Sequence, residues 1–337
     1  MQNKVTIALD MMSGDSGLDI SVPGALKCMQ EMNDIFLILI GDQEKIKNKL
    51  GKRFHEYQDK KFSVIHTDEY VDMNDDILVA LRSKKNSSMR LSINSVKDKN
   101  ADAAVSAGNT GALMALSKVI LNTIPGIDRP AICTALPTKT GLMHMLDLGA
   151  NVECDATNLF QFSVMGSALV QSLEISSNPL VGLLNIGSED IKGNDTIKQA
   201  AALLQSSKLN YSGFVEGDDI FSGRFDVIVA DGYAGNIALK SIEGVANFIS
   251  HVMKNEFNRN AYNRLSSLIS YPVLKGVKKK VDPRRYNGAS LLGLQGVVVK
   301  SHGSADAYAF SRAIKTAYYE VKNQILDKIE SLIQTKL

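Results

Sequence analysis

The stretch AAVSAGNTGA, residues 103–112, shows within a few residues how this chain folds. It opens with a short apolar run typical of a buried strand, and it ends where a helical pattern begins that continues to residue 121. The turn between them, residues 106–111, carries two glycines and the polar side chains of Ser106, Asn109 and Thr110. Glycines let backbone N–H groups converge on a ligand, and the following helix adds its positive N-terminal end. The turn is therefore a candidate anion site, although the same side chains also cap helices for structural reasons alone.

The same alternation of apolar run, polar turn and helical pattern repeats along the chain. It predicts an α/β fold with a largely parallel sheet that helices cover on both faces. Eight strands are expected, at residues 5–10, 35–42, 63–67, 103–107, 145–149, 180–187, 225–231 and 296–300. Seven helices are expected, at residues 20–31, 75–82, 88–98, 111–121, 155–173, 195–206 and 304–335. No linker or repeat interrupts the pattern, so residues 1–337 are predicted to form a single α/β unit.

One region departs from this alternation. Residues 238–285 are predicted to form an amphipathic helical excursion, in which apolar residues recur at helical spacing and a second helical segment ends at Pro272. Three lysines at 278–280 follow, and then Arg284 and Arg285. Three interpretations of this surface stay open: a dimer interface, a peripheral contact with an anionic membrane, and a solvated charged face.

The composition excludes several classes of function. A net charge of +2 on 337 residues gives no basis for binding nucleic acid through bulk electrostatics. Three cysteines are too few for a disulfide framework, and they are interpreted as reduced thiols of a cytoplasmic protein. The first residues lead directly into a strand pattern, so no signal peptide is expected. No apolar run reaches the ~20 residues of a membrane-spanning helix, so any membrane contact is expected to be peripheral.

The nucleotide and hydrolase motifs of many α/β folds are missing. The chain has neither a GxxxxGK[ST] loop nor a GxGxxG turn after a strand, and it lacks the GxSxG elbow of α/β-hydrolases. The histidines and cysteines show no metal-ligand spacing, so neither a metal nor a cofactor is expected. His302 is the best-placed histidine, because Ser301, Gly303 and Ser304 flank it at a predicted strand end.

Five further turns share the features of residues 106–111, since each follows a predicted strand and carries glycine with polar side chains. They lie at residues 10–15, 148–151, 186–195, 231–236 and 301–306. Ligands of parallel α/β sheets bind at the carboxyl ends of the strands, so we expect these turns to build one site together. Lys192 is notable because Gly187 and Gly193 bracket it, and a lysine there would neutralise a phosphate or a developing oxyanion.

Several of these turns belong to longer motifs that resemble the PlsX family of acyl-ACP:phosphate acyltransferases. The motifs are DAAVSAGNTGA at 102–112, PGIDRP at 125–130, DLGAN at 147–151, IGSE at 186–189, KGN at 192–194, FVEG at 214–217, DVIVADGYAGN at 226–236 and GSADA at 303–307. The resemblance extends from the first strand to the last helix. It departs from the family pattern at the first turn, where Met11 and Ser13 replace smaller residues, which affects how closely that turn can approach a substrate.

The resemblance implies a fold akin to the isocitrate and isopropylmalate dehydrogenases and to phosphate acetyltransferases, assembled as a homodimer. It also implies that orthophosphate takes a long-chain acyl group from acyl carrier protein. The acyl phosphate would then serve a membrane acyltransferase in phospholipid synthesis. The alternative enzymes are a short-chain phosphate acyltransferase using acyl-CoA and a metal- and nicotinamide-dependent hydroxy-acid dehydrogenase. A membrane-surface scaffold is the alternative without catalysis.

The candidate site residues follow from the turns and from the implied reaction. Ser106, Asn109 and Thr110 are the expected phosphate cradle. The other candidates for binding phosphate or substrate are Asp10, Gly14, Asp15, Gly108, Gly111, Asn151, Gly232 and Lys240. The catalytic candidates are Lys192, Asn236, Asp231 and His302. Of these four, Lys192 and Asn236 are expected to contact the oxyanion or a second phosphate oxygen, and Asp231 to orient them.

Overall fold

The computed structural model describes residues 4–336, without the side chains of Lys278, Lys279 and Lys336. Within these residues, eleven strands form one sheet in the order β3-β2-β1-β4-β11-β10-β5-β6-β9-β7-β8. In chain order the strands are β1 Val5–Asp10, β2 Ile35–Gly41, β3 Phe62–His66, β4 Ala103–Ser106, β5 Ala131–Pro137, β6 Leu142–Leu146, β7 Val181–Leu184, β8 Tyr211–Val215, β9 Val227–Val229, β10 Ala289–Leu292 and β11 Val297–Lys300.

The direction of the strands reverses in the middle of the sheet. The first half consists of β3, β2, β1, β4 and β11, which run parallel to one another. The second half consists of β6, β9, β7 and β8, which also run parallel to one another. Between the halves, β11 and β10, β10 and β5, and β5 and β6 are antiparallel pairs, so β10 and β5 form a seam. These three reversals make the strands of the two halves run in opposite directions.

Thirteen α-helices within residues 4–336 cover both faces of the sheet. They are α1 Leu18–Glu31, α2 Gln43–Leu50, α3 Lys52–Tyr57, α4 Ile77–Arg82, α5 Ser88–Lys97, α6 Thr110–Leu121, α7 Ala156–Ser172, α8 Asp195–Gln205, α9 Gly232–Asn258, α10 Ala261–Ile269, α11 Tyr271–Val281, α12 Ala307–Lys322 and α13 Ile325–Lys336. On one face of the first half, α1 and α12 pack with Val5, Ile7 and Leu9, the alternate residues of β1. On the other face, α4, α5, α6 and the start of α9 share one apolar cluster. Helices α7, α8 and α13 cover the second half.

The structure confirms the predicted class, a largely parallel sheet covered by helices on both faces. The eight expected strands are present, but the fifth lies three residues earlier than predicted, at Leu142–Leu146. The sequence pattern does not reveal β5, β8 and β10 or the short helices α2 and α3. The prediction of one helix at 304–335 is wrong. Helix α12 ends and α13 begins on either side of Gln324, which has a left-handed φ of 53°.

The predicted helical excursion corresponds to α9, α10 and α11. Pro272 does not end the second segment as predicted; it lies in the first turn of α11, where a missing N–H costs nothing. Only Gly232 and Gly235 of α9 are buried, and no residue of α10 is. The exposed apolar side chains of α9 and α10 include Val245, Phe248, Ile249, Val252, Tyr262, Leu265, Leu268 and Ile269. In the part of the chain that the structure describes, no helix is long and apolar enough to cross a membrane.

Candidate active site

The strand reversal sorts the six polar turns into two groups. The first-half turns are residues 10–15, 106–111 and 301–306, which follow β1, β4 and β11. The second-half turns are residues 147–151, 185–195 and 231–236, which follow β6, β7 and β9. Among the described residues, hydrogen bonds join the three first-half turns to one another and the 147–151 turn to the 231–236 turn, and none joins a first-half turn to a second-half turn. The two groups do border one apolar cluster, which contains Leu113 of α6 together with Leu148 and Ala234. The single site expected from the sequence is therefore better described as two subsites.

Asp10 is the centre of the first-half turns. Its carboxylate is fully buried and accepts hydrogen bonds from the hydroxyls of Ser88 and Ser106, both at 2.6 Å. It also accepts from the backbone N–H groups of Met12 and Ser13, each at 3.3 Å. A carboxylate with these partners fixes the turns and has no surface to offer an anion. Asp10 therefore organises the turns, and its direct contact with phosphate stays a prediction.

Glycines let two first-half turns pack against each other. Gly14 has a φ of +93°, and a Cβ there would lie 3.0 Å from the Cβ of Ala107. A Cβ on Gly108 would lie 2.8 Å from the Cβ of Ser13 and would also overlap the methyl end of Met89. The N–H of Asp15 donates to the carbonyl of Gly303 at 3.0 Å, which ties the first turn to the turn after β11. Gly14, Asp15 and Gly108 therefore hold the shape of this subsite.

The N-terminus of α6 is the open part of the first-half turns. Asn109 caps the helix, since its Oδ1 accepts from Ala112 N at 3.0 Å while its Nδ2 donates to Met73 O at 2.8 Å. Ser106 is similarly engaged, because its hydroxyl donates to Asp10 and accepts from the N–H of Gly108 at 3.0 Å. The backbone N–H groups of Thr110 and Gly111 and the Thr110 hydroxyl have no partner among the described residues. Of the predicted cradle, Thr110 and the backbone are free to bind, whereas Ser106 and Asn109 position them.

A cavity of about 310 Å³ borders these turns. Residues 12–15 form one wall and residues 70–74 form the other. The hydrogen bond from Asn109 to Met73 holds the second wall against the start of α6. This volume is at the lower end of that of small-molecule sites, and it accommodates a small anion more readily than a fatty acyl chain.

Lys300 is a residue of the first half that the sequence candidates do not include. It ends β11, is only 8% exposed, and donates from Nζ to the carbonyl oxygens of Ala107, at 3.4 Å, and Ser301. Burial lowers the pKa of Lys300 to about 8, although the charges of Asp10 and Asp15 oppose the shift. The signal in the sequence was a lysine at the end of an otherwise apolar strand, VVVK, directly before a polar turn.

His302 lies at the surface of the turn after β11. Its Nδ1 lies 2.9 Å from the hydroxyl of Ser304, and Ser304 N donates to the same atom at 3.2 Å. Its backbone N–H donates to Oδ1 of Asn287, which fixes the turn from the other side. Within the described contacts, the ring bonds only to its own turn, and a catalytic role for His302 stays a prediction.

The second-half turns have a buried carboxylate of their own. Asp147, which is fully buried, accepts from Ile132 N at 2.9 Å, Asn151 N at 2.7 Å and Asn151 Nδ2 at 2.9 Å. Burial raises the pKa of Asp147 despite these hydrogen bonds. Because the amide nitrogen of Asn151 also donates to Pro130 O at 2.8 Å, this group holds the turn, and substrate binding by Asn151 stays a prediction. Gly232 N donates to Asn151 O at 2.8 Å, and a Cβ on Gly232 would lie only 2.5 Å from that oxygen.

The start of α9 presents a different mixture of roles. Asp231 caps the helix, accepting from Ala234 N at 2.7 Å, which is a structural role in place of the predicted orienting one. Asn236 lies against Gly149, and its amide has no hydrogen-bond partner among the described residues. Lys240 is exposed four residues later, so it shares a helix face with Asn236. Asn236 and Lys240 remain available for a ligand.

Lys192 lies on the long loop between β7 and α8. Asn185 braces this loop, since its Nδ2 donates to the carbonyls of Gly187 at 3.1 Å and of Lys192 at 3.3 Å. The side chain of Lys192 is exposed, and Ile186 and Ile191 beside it are 82% and 80% exposed. This loop therefore exposes a positive charge together with apolar side chains.

The cysteines offer no reactive thiol to either subsite. Burial raises the pKa of Cys28 and of Cys154 to about 12, and it raises that of Cys133 well above its usual value. Such thiols stay protonated near neutral pH and are poor nucleophiles. The groups free to act at the turns are backbone N–H donors, amides and lysines, which bind and stabilise negative charge.

Comparison with solved structures agrees with the α/β fold. A phosphotransacetylase from Streptococcus pyogenes superposes with a TM-score of 0.62 at 17% identity, covering 97% of this chain and 95% of that one. A 4-hydroxythreonine-4-phosphate dehydrogenase from Klebsiella pneumoniae superposes with a TM-score of 0.52 at 9% identity, covering 95% and 98%. These likenesses show the fold. They support the expected kinship with acetyltransferase and dehydrogenase folds, although this dehydrogenase is not one of the two named from the sequence.

The family follows from sequence similarity. Residues 5–328 match the model of a family described as fatty acid synthesis protein. A protein named phosphate acyltransferase from Alkalilimnicola ehrlichii is 52% identical, covering 100% of this chain and 99% of its own. The chain belongs to this family, the PlsX family that its motifs resemble, and it is an acyltransferase.

Proposed function

We propose that this protein transfers a long-chain acyl group from the thioester of acyl carrier protein to inorganic phosphate. The observation that carries the proposal is the start of α6, where the N–H groups of Thr110 and Gly111 and the Thr110 hydroxyl are unpaired among the described residues. Such a helix N-terminus binds a phosphate-like anion. Family membership and the names of the relatives support acyl transfer as the reaction in which that anion takes part.

The reaction needs no nucleophile from the protein. A phosphate oxygen attacks the thioester carbonyl, a tetrahedral oxyanion forms, and the C–S bond then breaks. One new C–O bond replaces the C–S bond, and the proton of hydrogen phosphate ends on the departing thiol. The protein's task is therefore to hold phosphate against the carbonyl and to stabilise the oxyanion. Positioning of this kind contributes ~7–11 kcal/mol, and one oxyanion donor ~3–4 kcal/mol.

The two subsites divide this task in the proposal. The first-half turns hold phosphate at the start of α6, where the donors are fixed by buried hydrogen bonds. The second-half turns receive the thioester, and Lys192 and Asn236 are the groups without described partners that could donate to its oxyanion. The exposed Ile186 and Ile191 would pack against the apolar part of the donor.

One assay tests the reaction and the donor together. Purified protein is incubated with phosphate and either long-chain acyl carrier protein, long-chain acyl-CoA or acetyl-CoA, and acyl phosphate is trapped with hydroxylamine. We expect the hydroxamate with acyl carrier protein, and only in the presence of phosphate. Product from acetyl-CoA alone would point to a short-chain enzyme. No product from any donor would contradict the proposal.

The proposal extends to a homodimer in the cytoplasm that supplies acyl phosphate to a membrane acyltransferase. The exposed apolar side chains of α9 and α10 support a second copy of the chain as their partner, with peripheral membrane contact as the competing role. The positive charge at residues 278–285, which could attract an anionic membrane, is smaller than the sequence suggests. Arg284 is paired with Asp282 at 2.7 Å and with Asp306 at 2.8 Å. The side chains of Lys278 and Lys279 lie outside the described residues. Light scattering of the protein alone and sedimentation with anionic vesicles separate the two roles.

A further inference from the structure

Lys300 is buried at the base of the first-half turns without a compensating ion pair. Its ammonium group donates to the carbonyl oxygens of Ala107 and Ser301, one on each of two turns. Asp10 and Asp15 act on it through space, but neither forms an ion pair with it, and Asp10 is occupied by hydroxyls and N–H groups. Burying a charge is costly unless an opposite charge compensates it. Carbonyl dipoles solvate the ammonium group but leave its charge in place.

The position of Lys300 follows from the register of three neighbouring strands. Lys300 of β11 pairs with Ser106 of β4, and the hydroxyl of Ser106 donates to Asp10 of β1. These three side chains therefore form a level row at the carboxyl ends of the strands. Directly beyond Ser106 lie the turn at 106–111 and the unpaired N–H groups at the start of α6.

We propose that Lys300 is a positioning residue that supplies the fixed positive charge of the phosphate site, holding the turns from below through Ala107 and Ser301. The choice of phosphate as the anion rests on the proposed function. In this region of low dielectric the charge of Lys300 adds attraction for a doubly charged anion to that of the N–H dipoles, and it offsets the negative charges of Asp10 and Asp15. The hydrogen bonds to Ala107 and Ser301 also brace the two turns, so the proposal is tested by how phosphate binding depends on the charge and not by loss of the side chain alone.

The same placement makes phosphate binding depend on pH in a defined direction. Because burial lowers the pKa of Lys300 to about 8, the group is charged at neutral pH and loses its charge as the pH rises further. The charged groups that face it are Asp10 and Asp15. Phosphate affinity should therefore fall as the pH rises through about 8.

The experiment is calorimetric titration of inorganic phosphate into the full-length parent, Lys300→Met and Lys97→Met, at pH values from ~7 to ~9. Lys97→Met removes the same charge from the exposed, far end of α5. We expect Lys300→Met to weaken phosphate binding by about tenfold or more near pH 7, and Lys97→Met to leave it unchanged within about twofold. The parent should lose affinity through pH 8, and Lys300→Met should not.

Equal affinity of the parent and Lys300→Met, a flat pH profile of the parent, or no phosphate binding by the parent would each overturn the inference. If Lys300→Met does not fold, the pH profile of the parent still decides. Acyl phosphate formation is measured in parallel, so that the two proposals can fail separately. Phosphate binding that depends on Lys300 without any acyl phosphate would refute the proposed function alone. If the parent and Lys300→Met formed acyl phosphate at the same phosphate concentrations, the inference alone would be refuted.

Discussion

The side chains at the centre of the first-half turns are buried, whereas the lysines of the second-half turns are exposed. Asp10, Ser106 and Lys300 are 0%, 1% and 8% exposed, but Lys192 and Lys240 are both exposed. Buried, fully hydrogen-bonded side chains fix the backbone in one geometry. Exposed lysines keep rotamer freedom and lose it only when a ligand binds.

This difference matches the two substrates of the proposed reaction. Phosphate is small and unvarying, so a rigid subsite that is ordered beforehand binds it at the least entropic cost. An acyl thioester on a carrier protein is large and flexible, and an exposed loop with apolar and charged side chains can adapt to it. The comparison thus predicts that substitutions in the first half act on stability and phosphate binding, and those in the second half on turnover.

The largest expected effect is that of Lys192→Ala. Loss of an oxyanion donor should lower turnover by about 100-fold or more, while thermal stability stays at the parent's value because the side chain is exposed. Turnover and melting temperature are compared with those of Lys198→Ala, an exposed lysine in α8. If the turnover of Lys192→Ala stayed within a few-fold of the parent's, Lys192 would not be catalytic. The second-half turns would then lack their main candidate for the oxyanion donor.

A pair of glycines tests the contrast in rigidity directly. An alanine Cβ at Gly108 would lie 2.8 Å from the buried Ser13 Cβ, whereas one at Gly187 would meet the flexible carboxylate end of Glu189 at 2.7 Å. Gly108→Ala should lower the free energy of unfolding by about 1–3 kcal/mol, and Gly187→Ala by less than about 0.5 kcal/mol. Denaturant unfolding measures both. Equal effects would mean that the two groups of turns do not differ in rigidity.

The stability of the protein should depend on pH through Glu320, which contacts the seam between the two halves. Burial raises the pKa of Glu320 to about 7, against 4.5 for a free glutamate, although the hydroxyl of Ser290 on β10 donates to it. Between these values the folded protein holds a proton that the unfolded chain lacks, so stability falls as the pH rises from 4.5 to 7 and then levels off.

Glu320→Gln removes this titration and keeps a partner for Ser290. Relative to the parent, its free energy of unfolding should increase by on the order of 2–3 kcal/mol between acid and mildly alkaline pH. Unfolding in denaturant across that range gives the difference. A constant difference between Glu320→Gln and the parent would show that the seam does not hold a proton on Glu320.

The seam also shows what the sequence could and could not predict. The parallel strands other than β8 were readable because runs such as VTIALD and IFLILIG are continuous and apolar. The antiparallel β10 is only four residues long, and β5 ends in Pro137, so neither has a distinctive pattern. Missing these two strands hid the reversal of direction, and so the six turns were combined into one site.

Side-chain roles within the turns were predictable only in part. The sequence located the polar turns, because glycine and polar residues at strand ends are a local signal. It did not distinguish a free donor from one already used, since that depends on partners distant in the chain. Ser106 donates a hydrogen bond to Asp10, which is 96 residues away in the sequence, and Asn109 donates one to Met73, which is 36 residues away. Lys300 was missed for the same reason, because its contacts come from another turn.

The smallest expected effect separates capping from binding at Asn109. Asn109→Ala removes the α6 cap and should lower the free energy of unfolding by about 1 kcal/mol. It should also raise the phosphate concentration for half-maximal rate a few-fold, because the start of α6 is no longer fixed. Asn109→Ser keeps a capping oxygen, so we expect it to restore both quantities most of the way to the parent's values. If Asn109→Ser regained stability but still needed as much phosphate as Asn109→Ala, the amide itself would contact phosphate, and the first-half turns would bind their anion with side chains as well as backbone.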